Sequence, residues 1–385
     1  MVAHHLFESK GGGERLCAIV VDEALQKAHN VAIATTSQFN AKATFEKNFG
    51  INLIEEPQQF YLLKKYINLF GIFHRLITYL PIRKAIKKFH PESVFLDMEF
   101  IKPLQSDVKK YNAKVLRYVH FPTVAETSIK ELLPEKYFRF PYNLYWKLYL
   151  LFQRRVVLPA EDDFSDIVCA NSMFTKRFVE KVWNRKDVKV VYPPVSVSEY
   201  SPGSSKEDIV VSLGRFTPEK RFELAIQAIS ECETKVRLNL IGGLIPAMNT
   251  YFLRLKRLCK ELGIEDRVRF YPNAPFETVK RILGQSKVFV HPMQNEHFGI
   301  STVEAMASGC IPINHNSGGS IEILNKGQYG FLFNDVSEIS DFIDKAISDE
   351  DFFGKMCRSV VKRAKLYDEA IFRKEIFDLM ESSLN

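Results

Sequence analysis

The sequence predicts an α/β protein of two parallel-sheet domains, and three observations predict it. The chain has 385 residues, more than the roughly 250–300 at which a single hydrophobic core stops growing. Short apolar segments alternate with amphipathic helical ones through both halves, as in parallel sheets covered on both faces. Between the halves lies SPGSSKED at 201–208, a polar break containing proline and glycine. The expected division is 1–203 and 204–365. A helical segment at 366–385 is expected to pack back toward the first domain.

The elements follow in order. VAHHLF reads as a first strand, then come the glycine turn Gly11-Gly12-Gly13, the helix ERLCAIVVDEALQKA and the strand HNVAIATT. VFLDME at 94–99 and AKVLRYVHFP at 113–122 read as strands, the second ending at His120. DIVCANS at 166–172 is another, with Ser172 placed to cap the helix MFTKRFVEKVW. VKVVYPPV closes the set at Pro193-Pro194. After the break, DIVVSLGRF, VRLNLIGG, RVRFYP, KVFVHP and CIPINHN read as strands. PEKRFELAIQAISEC, YFLRLKRLCKELGI, PFETVKRILGQS and STVEAMASG read as the helices between them.

Composition narrows the function classes. Hydrophobic residues at 46% and charged residues at 26% describe a folded globular chain. No apolar run reaches 18 residues, so no membrane-spanning helix is expected. The first residues lack a basic stretch followed by a long apolar one, so no secretory signal is expected. The six cysteines, at 17, 169, 232, 259, 310 and 357, show no paired spacing and read as reduced thiols of a cytoplasmic protein. His4, His5, His291, His297 and His315 form no metal-ligand spacing, and no metal site is expected.

The net charge of +7 is uneven: residues 1–200 hold 29 Lys and Arg against 21 Asp and Glu, and the rest hold 24 against 25. The first half therefore either faces something anionic or is solubilised by lysines. Residues 57–91 contain no acid and mix Lys64, Lys65, Arg75, Arg83, Lys84, Lys87 and Lys88 with Phe60, Tyr61, Tyr66, Phe70, Phe73 and Tyr79. Residues 136–155 interleave Lys136, Arg139, Lys147, Arg154 and Arg155 with Tyr137, Phe138, Tyr142, Tyr145, Trp146, Tyr149 and Phe152. Such stretches suit helices lying on an anionic membrane surface, or a core whose wet face is basic. No nucleic-acid recognition module accompanies them, so nucleic acid is not an expected partner.

Four features can carry chemistry. QNEHFGISTVEAMASGCIPI, residues 294–313, places Glu296 in a loop and Glu304 early in a helix, with the amides of Phe298, Gly299 and Ile300 at the helix start. Unpaired amides and the helix dipole favour an anion there, and Glu304 can accept hydrogen bonds from vicinal hydroxyls such as those of a ribose. GRFTPEKR, residues 214–221, sets Arg215 and Lys220 around a turn after a strand, where two cations can clamp a diphosphate. Gly11-Gly12-Gly13-Glu14 resembles a phosphate loop but lacks the dinucleotide and P-loop fingerprints. His120 ends a strand, as a ligand contact or as a buried structural histidine.

Taken together, Glu296 and Glu304 with the Gly214-Arg215…Glu219-Lys220 motif resemble glycosyltransferase family 4 over nearly the whole chain. The resemblance implies a GT-B fold, two Rossmann-like parallel-sheet domains facing across a cleft. It implies a retaining, metal-independent hexosyltransferase with a nucleotide-sugar donor. Arg215 and Lys220 would bind the donor diphosphate, Glu304 the ribose, and Glu296 with Phe298, Gly299 and Ile300 the sugar and phosphate region. His120 and the loop with Gly12 and Gly13 would come from the acceptor-binding first domain, His120 beside the transferred sugar.

A narrower likeness rests on GGGER, RYVHFPT, CANSMFTKRFVEKVW, VVYPPV and NEHFGISTVEAMASGCIPINHNSGG. These segments are similar to the GDP-mannose-dependent α-1,2-mannosyltransferases that extend a dolichol-linked oligosaccharide. The likeness implies GDP-mannose as donor, a polyprenyl- or dolichol-linked glycan as acceptor, and a peripheral position on the cytoplasmic face of a membrane. The alternative within the family is a soluble UDP- or ADP-sugar-dependent transferase or synthase with a non-lipid acceptor. A non-enzymatic sugar-binding protein is disfavoured because each of the key charges is present.

Overall fold

The structure is a computed structural model that describes residues 1–65, 74, 76–97, 102–122, 140–156 and 164–384. They fall into two compact units, Met1–Tyr192 with Phe372–Asn385, and Pro193–Ile371. Arg75, Tyr66, Phe70, Phe73, Lys136, Tyr137, Phe138 and Arg139 lie outside the described residues, as do the side chains of Arg154 and Arg155.

The first unit runs β1 (Val2–Ala3), α1 (Gly12–Gln26), β2 (Ala32–Ala34), α2 (Ala41–Phe49), β3 (Gln58–Phe60), α3 (Tyr79–Phe89) and β4 (Ser93–Leu96). It continues with α4 (Leu104–Lys110), β5 (Lys114–Val119), α5 (Tyr142–Val156), β6 (Ile167–Ala170), α6 (Met173–Trp183) and β7 (Lys189–Val190). The strands pair in parallel in the order β3-β2-β1-β4-β5-β6-β7. Successive strand residues point to opposite faces. Val2, Phe95, Leu116 and Tyr118 accordingly join the core beneath α1 and α2, while Ala3, Val94, Leu96 and Val115 join the core beneath α3 and α4. Both faces are covered, which is why the strands read as continuous apolar runs.

The second unit runs β8 (Glu207–Leu213), α7 (Phe222–Glu231), β9 (Arg237–Gly242), α8 (Asn249–Glu261), β10 (Val268–Pro272), α9 (Phe276–Gln285) and β11 (Ser286–His291). It then adds α10 (Ile300–Ala307), β12 (Ile311–His315), α11 (Ser320–Ile323), β13 (Phe331–Phe333), α12 (Ser337–Ser348) and α13 (Glu350–Ala364). Its parallel sheet has the order β10-β9-β8-β11-β12-β13. In each unit the chain builds outward from one central strand and then reverses, leaving a topological switch point between β1 and β4 and between β8 and β11. Ligand crevices of open α/β sheets form outside the carboxyl ends of the strands at such points.

Three expectations change in detail. The strand read from VAHHLF is only Val2–Ala3, because His4 turns into the polar site described below. PEKRFELAIQAISEC is two helices: a 3-10 turn at Pro218–Lys220 and α7, parted by Arg221 at φ +50°. The basic stretch from 57 is not helical at its start, where Gln58–Phe60 joins the sheet beside β2. Ser172 caps α6 as its position suggests, accepting the Thr175 N–H at 3.0 Å.

The last helix, α14 (Glu369–Ser382), belongs to the first unit from Phe372 onward. Phe372, Ile376 and Phe377 are buried in the core with α1, and Phe372 stands edge-on to Tyr118 at 6.0 Å. Arg373 grips α1 through Asp22 at 2.9 Å and Glu23 at 3.1 Å. Phe372→Ala empties a large apolar volume in this core, and should cost the first unit roughly 3–5 kcal/mol. The check is a lower urea midpoint followed by probes in that unit.

Candidate active site

The site of the second unit is built at its switch point. β8 ends at Leu213, and the next residues, Gly214 to Lys220, turn at the carboxyl edge of the sheet. β11, its neighbour, ends at His291 and leads into the loop that carries Glu296. The two loops meet. Lys220 Nζ lies 2.6 Å from a Glu296 carboxylate oxygen and 3.1 Å from Met293 Sδ. His291 Nε2 lies 3.1 Å from the same Glu296 oxygen. Burial pushes His291 below the ordinary histidine range, so it is neutral at pH 7 and donates to the carboxylate. Burial works against charge on Glu296, but His291 and Lys220 outweigh it and hold the acid well below the usual carboxylate range. Glu296 is therefore an acceptor-only group with a preset orientation.

Tight backbone packing holds this loop in place. A side chain at Gly318 would collide with the Glu296 carbonyl, and the Gly319 N–H donates to that same carbonyl at 2.7 Å. Gly299, at φ +115°, turns the chain into α10 in a conformation that favours glycine. Asn314 at the end of β12 ties α10 and α11 together, donating to Thr302 Oγ1 at 2.9 Å and to Ser320 Oγ at 3.1 Å. The start of α10 is thus fixed beside Glu296, where the Thr302 N–H turns back onto the Gly299 carbonyl at 3.0 Å and the amides before it precede any partner within the helix.

The remaining expected residues of this unit fall around that centre in different ways. Arg215 follows β8, keeps its side chain 74% exposed, and reaches Glu219 at 3.5 Å rather than Glu296. Lys220, only 15% exposed, is the inner cation. The Phe298 ring is buried edge-on to Tyr367 at 5.5 Å, so only its backbone can serve a ligand. Ile300 and Glu304 are half-buried and four residues apart on α10, hence on one face.

The first unit gathers polar residues at the corresponding place. β1, β4 and β5 are adjacent, and the residues that follow their last positions are His4, Asp97 and His120. Asp97 Oδ1 lies 2.6 Å from His120 Nε2, and Oδ2 lies 3.0 Å from His4 Nδ1. Glu14, in the first turn of α1, is 3.8 Å from the other His4 nitrogen and accepts from Ser9. Burial disfavours a charge on His4, yet Asp97 and Glu14 outweigh it and hold the imidazole at about 9. Burial also opposes charge on the acids, but their imidazole partners prevail, taking Glu14 down to about 2 and Asp97 lower still. Gly12 is exposed at the start of α1. Gly13 faces the cluster: an added Cβ would stand 3.1 Å from Asp97 and 3.3 Å from His120. Its smallness serves this packing.

His4, Cys17 and Asp97 also bring three metal-type atoms within 4.8 Å of one another, from elements whose sequence spacing gave no hint of it. Burial and the Asp97 charge push the Cys17 thiol well above its ordinary range, and His4 is an imidazolium. Cys17 Sγ donates to Asp97 Oδ2 at 3.4 Å. Asp97, His4 and His291 are the partners that reading the sequence missed. The available signal was an acid or imidazole at the end of an apolar strand, or immediately after it, at a switch point.

Comparison with known proteins agrees with this architecture. Residues 199–367 match the family model described as glycosyl transferases group 1. Over 99% of its length the chain is 26% identical to the GDP-Man:Man(3)GlcNAc(2)-PP-Dol alpha-1,2-mannosyltransferase of Dictyostelium discoideum, of which it covers 84%. Over 90% of its length it is 28% identical to the Homo sapiens protein of the same name, of which it covers 78%. Sucrose-phosphate synthase from Thermosynechococcus elongatus shares the fold with a TM-score of 0.76 at 16% identity, over 99% of this chain and 98% of that one. WaaG, a glycosyltransferase involved in lipopolysaccharide biosynthesis, does so at 0.71 and 14%, over 99% of each chain.

The charge on His4 sets a pH dependence. Its imidazole is ionised to about 9 in the folded chain against 6.5 as the ordinary value. The stability it contributes is complete below 6.5 and is lost as pH rises through 9. His4→Gln should therefore melt well below the natural protein at pH 6, and the gap should narrow steadily by pH 9.5 in thermal scans.

Proposed function

We propose that this chain, a GT-B glycosyltransferase whose residues 199–367 form a group 1 glycosyl transferase domain, transfers mannose from GDP-mannose to a lipid-linked oligosaccharide in α linkage. The observation that carries the reading is the Lys220–Glu296–His291 constellation at the second unit's switch point, beside the start of α10. Its chemistry fits a sugar diphosphate: a fixed lysine, with the exposed Arg215 nearby in the same turn, for phosphate, and a fixed carboxylate for sugar hydroxyls. The donor and acceptor follow from the names of the relatives aligned along most of the chain.

In this account the exposed Arg215 guanidinium and the Lys220 ammonium hold the diphosphate, Glu304 accepts from the ribose hydroxyls, and Glu296 accepts from the mannose. Gly12 and Gly13 line the first unit's side of the chemistry, and His120 meets the transferred sugar. Retention of the α configuration requires either a double displacement or attack by the acceptor from the face that the diphosphate leaves, and the family resemblance implies the second route. The departing diphosphate can then take the acceptor proton, so neither Glu296 nor His120 acts as a base opposite the bond. The protein's main contribution is electrostatic: as the glycosidic bond breaks, charge grows on the phosphate oxygens, where Arg215, Lys220 and the amides of Phe298, Gly299 and Ile300 are aimed. These groups neutralise the diphosphate without a metal ion, and transfer should persist in EDTA.

A peripheral membrane position accords with α5. Leu144, Leu148, Leu151 and Phe152 form one exposed apolar stripe along it, continued by Phe140 and Tyr142, while Tyr149 and Gln153 are buried on the other side. An apolar stripe left in water suits insertion at a lipid headgroup layer. The basic helix α3 contributes less than its composition suggests, because Asp107 of α4 pairs with both Arg83 and Lys87. Leu80, Arg83, Lys84, Lys87 and Lys88 still line one surface depression there. No helix among the described residues is long and apolar enough to cross a membrane.

Two experiments test this reading. With GDP-mannose and a polyprenyl-diphosphate oligosaccharide, Arg215→Ala and Lys220→Ala should each lower kcat by about 10²-fold or more. Near-normal kcat at saturating donor in both variants would remove the diphosphate role. Leu144→Glu/Leu148→Glu should abolish sedimentation with anionic vesicles while leaving GDP binding intact. Unchanged sedimentation would place lipid contact elsewhere.

A further inference from the structure

We propose that Asp97 is the positioning residue of His120, and that His4 is the fixed cation that lets Asp97 do so. The inference rests on the reading that His120 serves the transfer reaction. The geometry is a relay across three neighbouring strand ends. Asp97 gives one oxygen to each imidazole, at 2.6 Å to His120 and 3.0 Å to His4. The exposures are graded: the Asp97 side chain is 1% exposed, His4 6% and His120 40%. Only His120 can meet a ligand, and the other two stand behind it.

The orientation of that ring is constrained on several sides. Nε2 of His120 is a fully buried atom, so the exposed part of the ring is the edge away from it. The His120 carbonyl accepts from Thr175 Oγ1 at 3.1 Å, which fixes the backbone. Tyr118 stands edge-on to the ring at 5.2 Å, and its hydroxyl is anchored on the Val191 carbonyl at 2.8 Å. Gly13 closes the remaining side, leaving no room for a side chain between α1 and the pair.

The arrangement also selects a tautomer. An ionised carboxylate only accepts, so Asp97 at 2.6 Å favours a proton on Nε2 of His120 and leaves Nδ1 on the open edge. A buried carboxylate without a counter-charge is costly and would draw a proton onto whichever imidazole it touched. His4, clamped between Asp97 and Glu14, supplies that positive charge at neutral pH. A purely structural ion pair would not need a third, outward-facing ring held at 2.6 Å.

The test uses the full chain with GDP-mannose and a lipid-linked acceptor. Asp97→Asn should lower kcat by roughly 10²-fold, the scale of a misoriented catalytic group, with KM for GDP-mannose changed by no more than about two-fold. In a His120→Ala background the same substitution should cost nothing further, because it acts through a ring that is gone. In the natural protein, nitrogen NMR of labelled histidines should show His120 as the Nε2–H tautomer and His4 protonated on both nitrogens. Three results overturn the inference: Asp97→Asn retaining normal kcat while His120→Ala does not, losses that multiply in the double variant, or His120 found as the Nδ1–H tautomer. Full activity in His120→Ala would instead remove the role of His120 itself, and the relay with it. The NMR measurement needs no variant, so it decides the question even if Asp97→Asn does not fold.

Discussion

Everything polar in this protein that resembles chemistry depends on one constraint: two parallel sheets whose strand order reverses beside the central strand. Where β1 parts from β4 and β8 from β11, the connections leave in opposite directions and the carboxyl ends of the strands are uncovered. The apolar alternation that builds the sheets also decides what stands there. These core strands end where their apolar runs end, and the polar residues that follow are His4, Asp97, His120 or, through short loops, Lys220 and Glu296.

The two switch points solve the same electrostatic problem differently. In the second unit, one carboxylate is fixed by a lysine and a neutral histidine, and a further cation, Arg215, is left reaching into solvent. That is a site with positive charge to offer, suited to an anionic leaving group. In the first unit, Asp97 and Glu14 enclose a protonated His4, and a second imidazole extends outward from Asp97. The charges there are satisfied internally, and what is presented is a single oriented ring.

The legible part of the fold followed from periodicity. Alternating apolar strands and helices gave the parallel sheets, because strands buried on both faces cannot hide their composition. The residues proposed to hold the donor were legible for a local reason: Arg215 and Lys220 lie in one turn, and Glu296, Gly299 and Glu304 in one loop-helix junction. Asp97 and His4 were not legible as partners. They are 93 residues apart and meet only through the pairing of β1 with β4. The same limit applied to α3, whose lysines and arginine suggested a lipid face until the packing of α4 brought Asp107 beside Arg83 and Lys87. In α5 the composition left a lipid-facing helix and a core helix both open, and the structure divides its residues, with Leu144 and Leu148 exposed and Tyr149 buried.

The central claim is that the second unit grips a GDP-sugar and hands over its sugar with retention. The most direct measurement is transfer by the natural protein from a panel of GDP-mannose, UDP-glucose and ADP-glucose to a polyprenyl-diphosphate oligosaccharide, with the anomeric configuration of the product read by proton NMR. The account predicts turnover with GDP-mannose alone and an α-linked mannose. A β-linked product, or preferential transfer from UDP- or ADP-glucose, would contradict it.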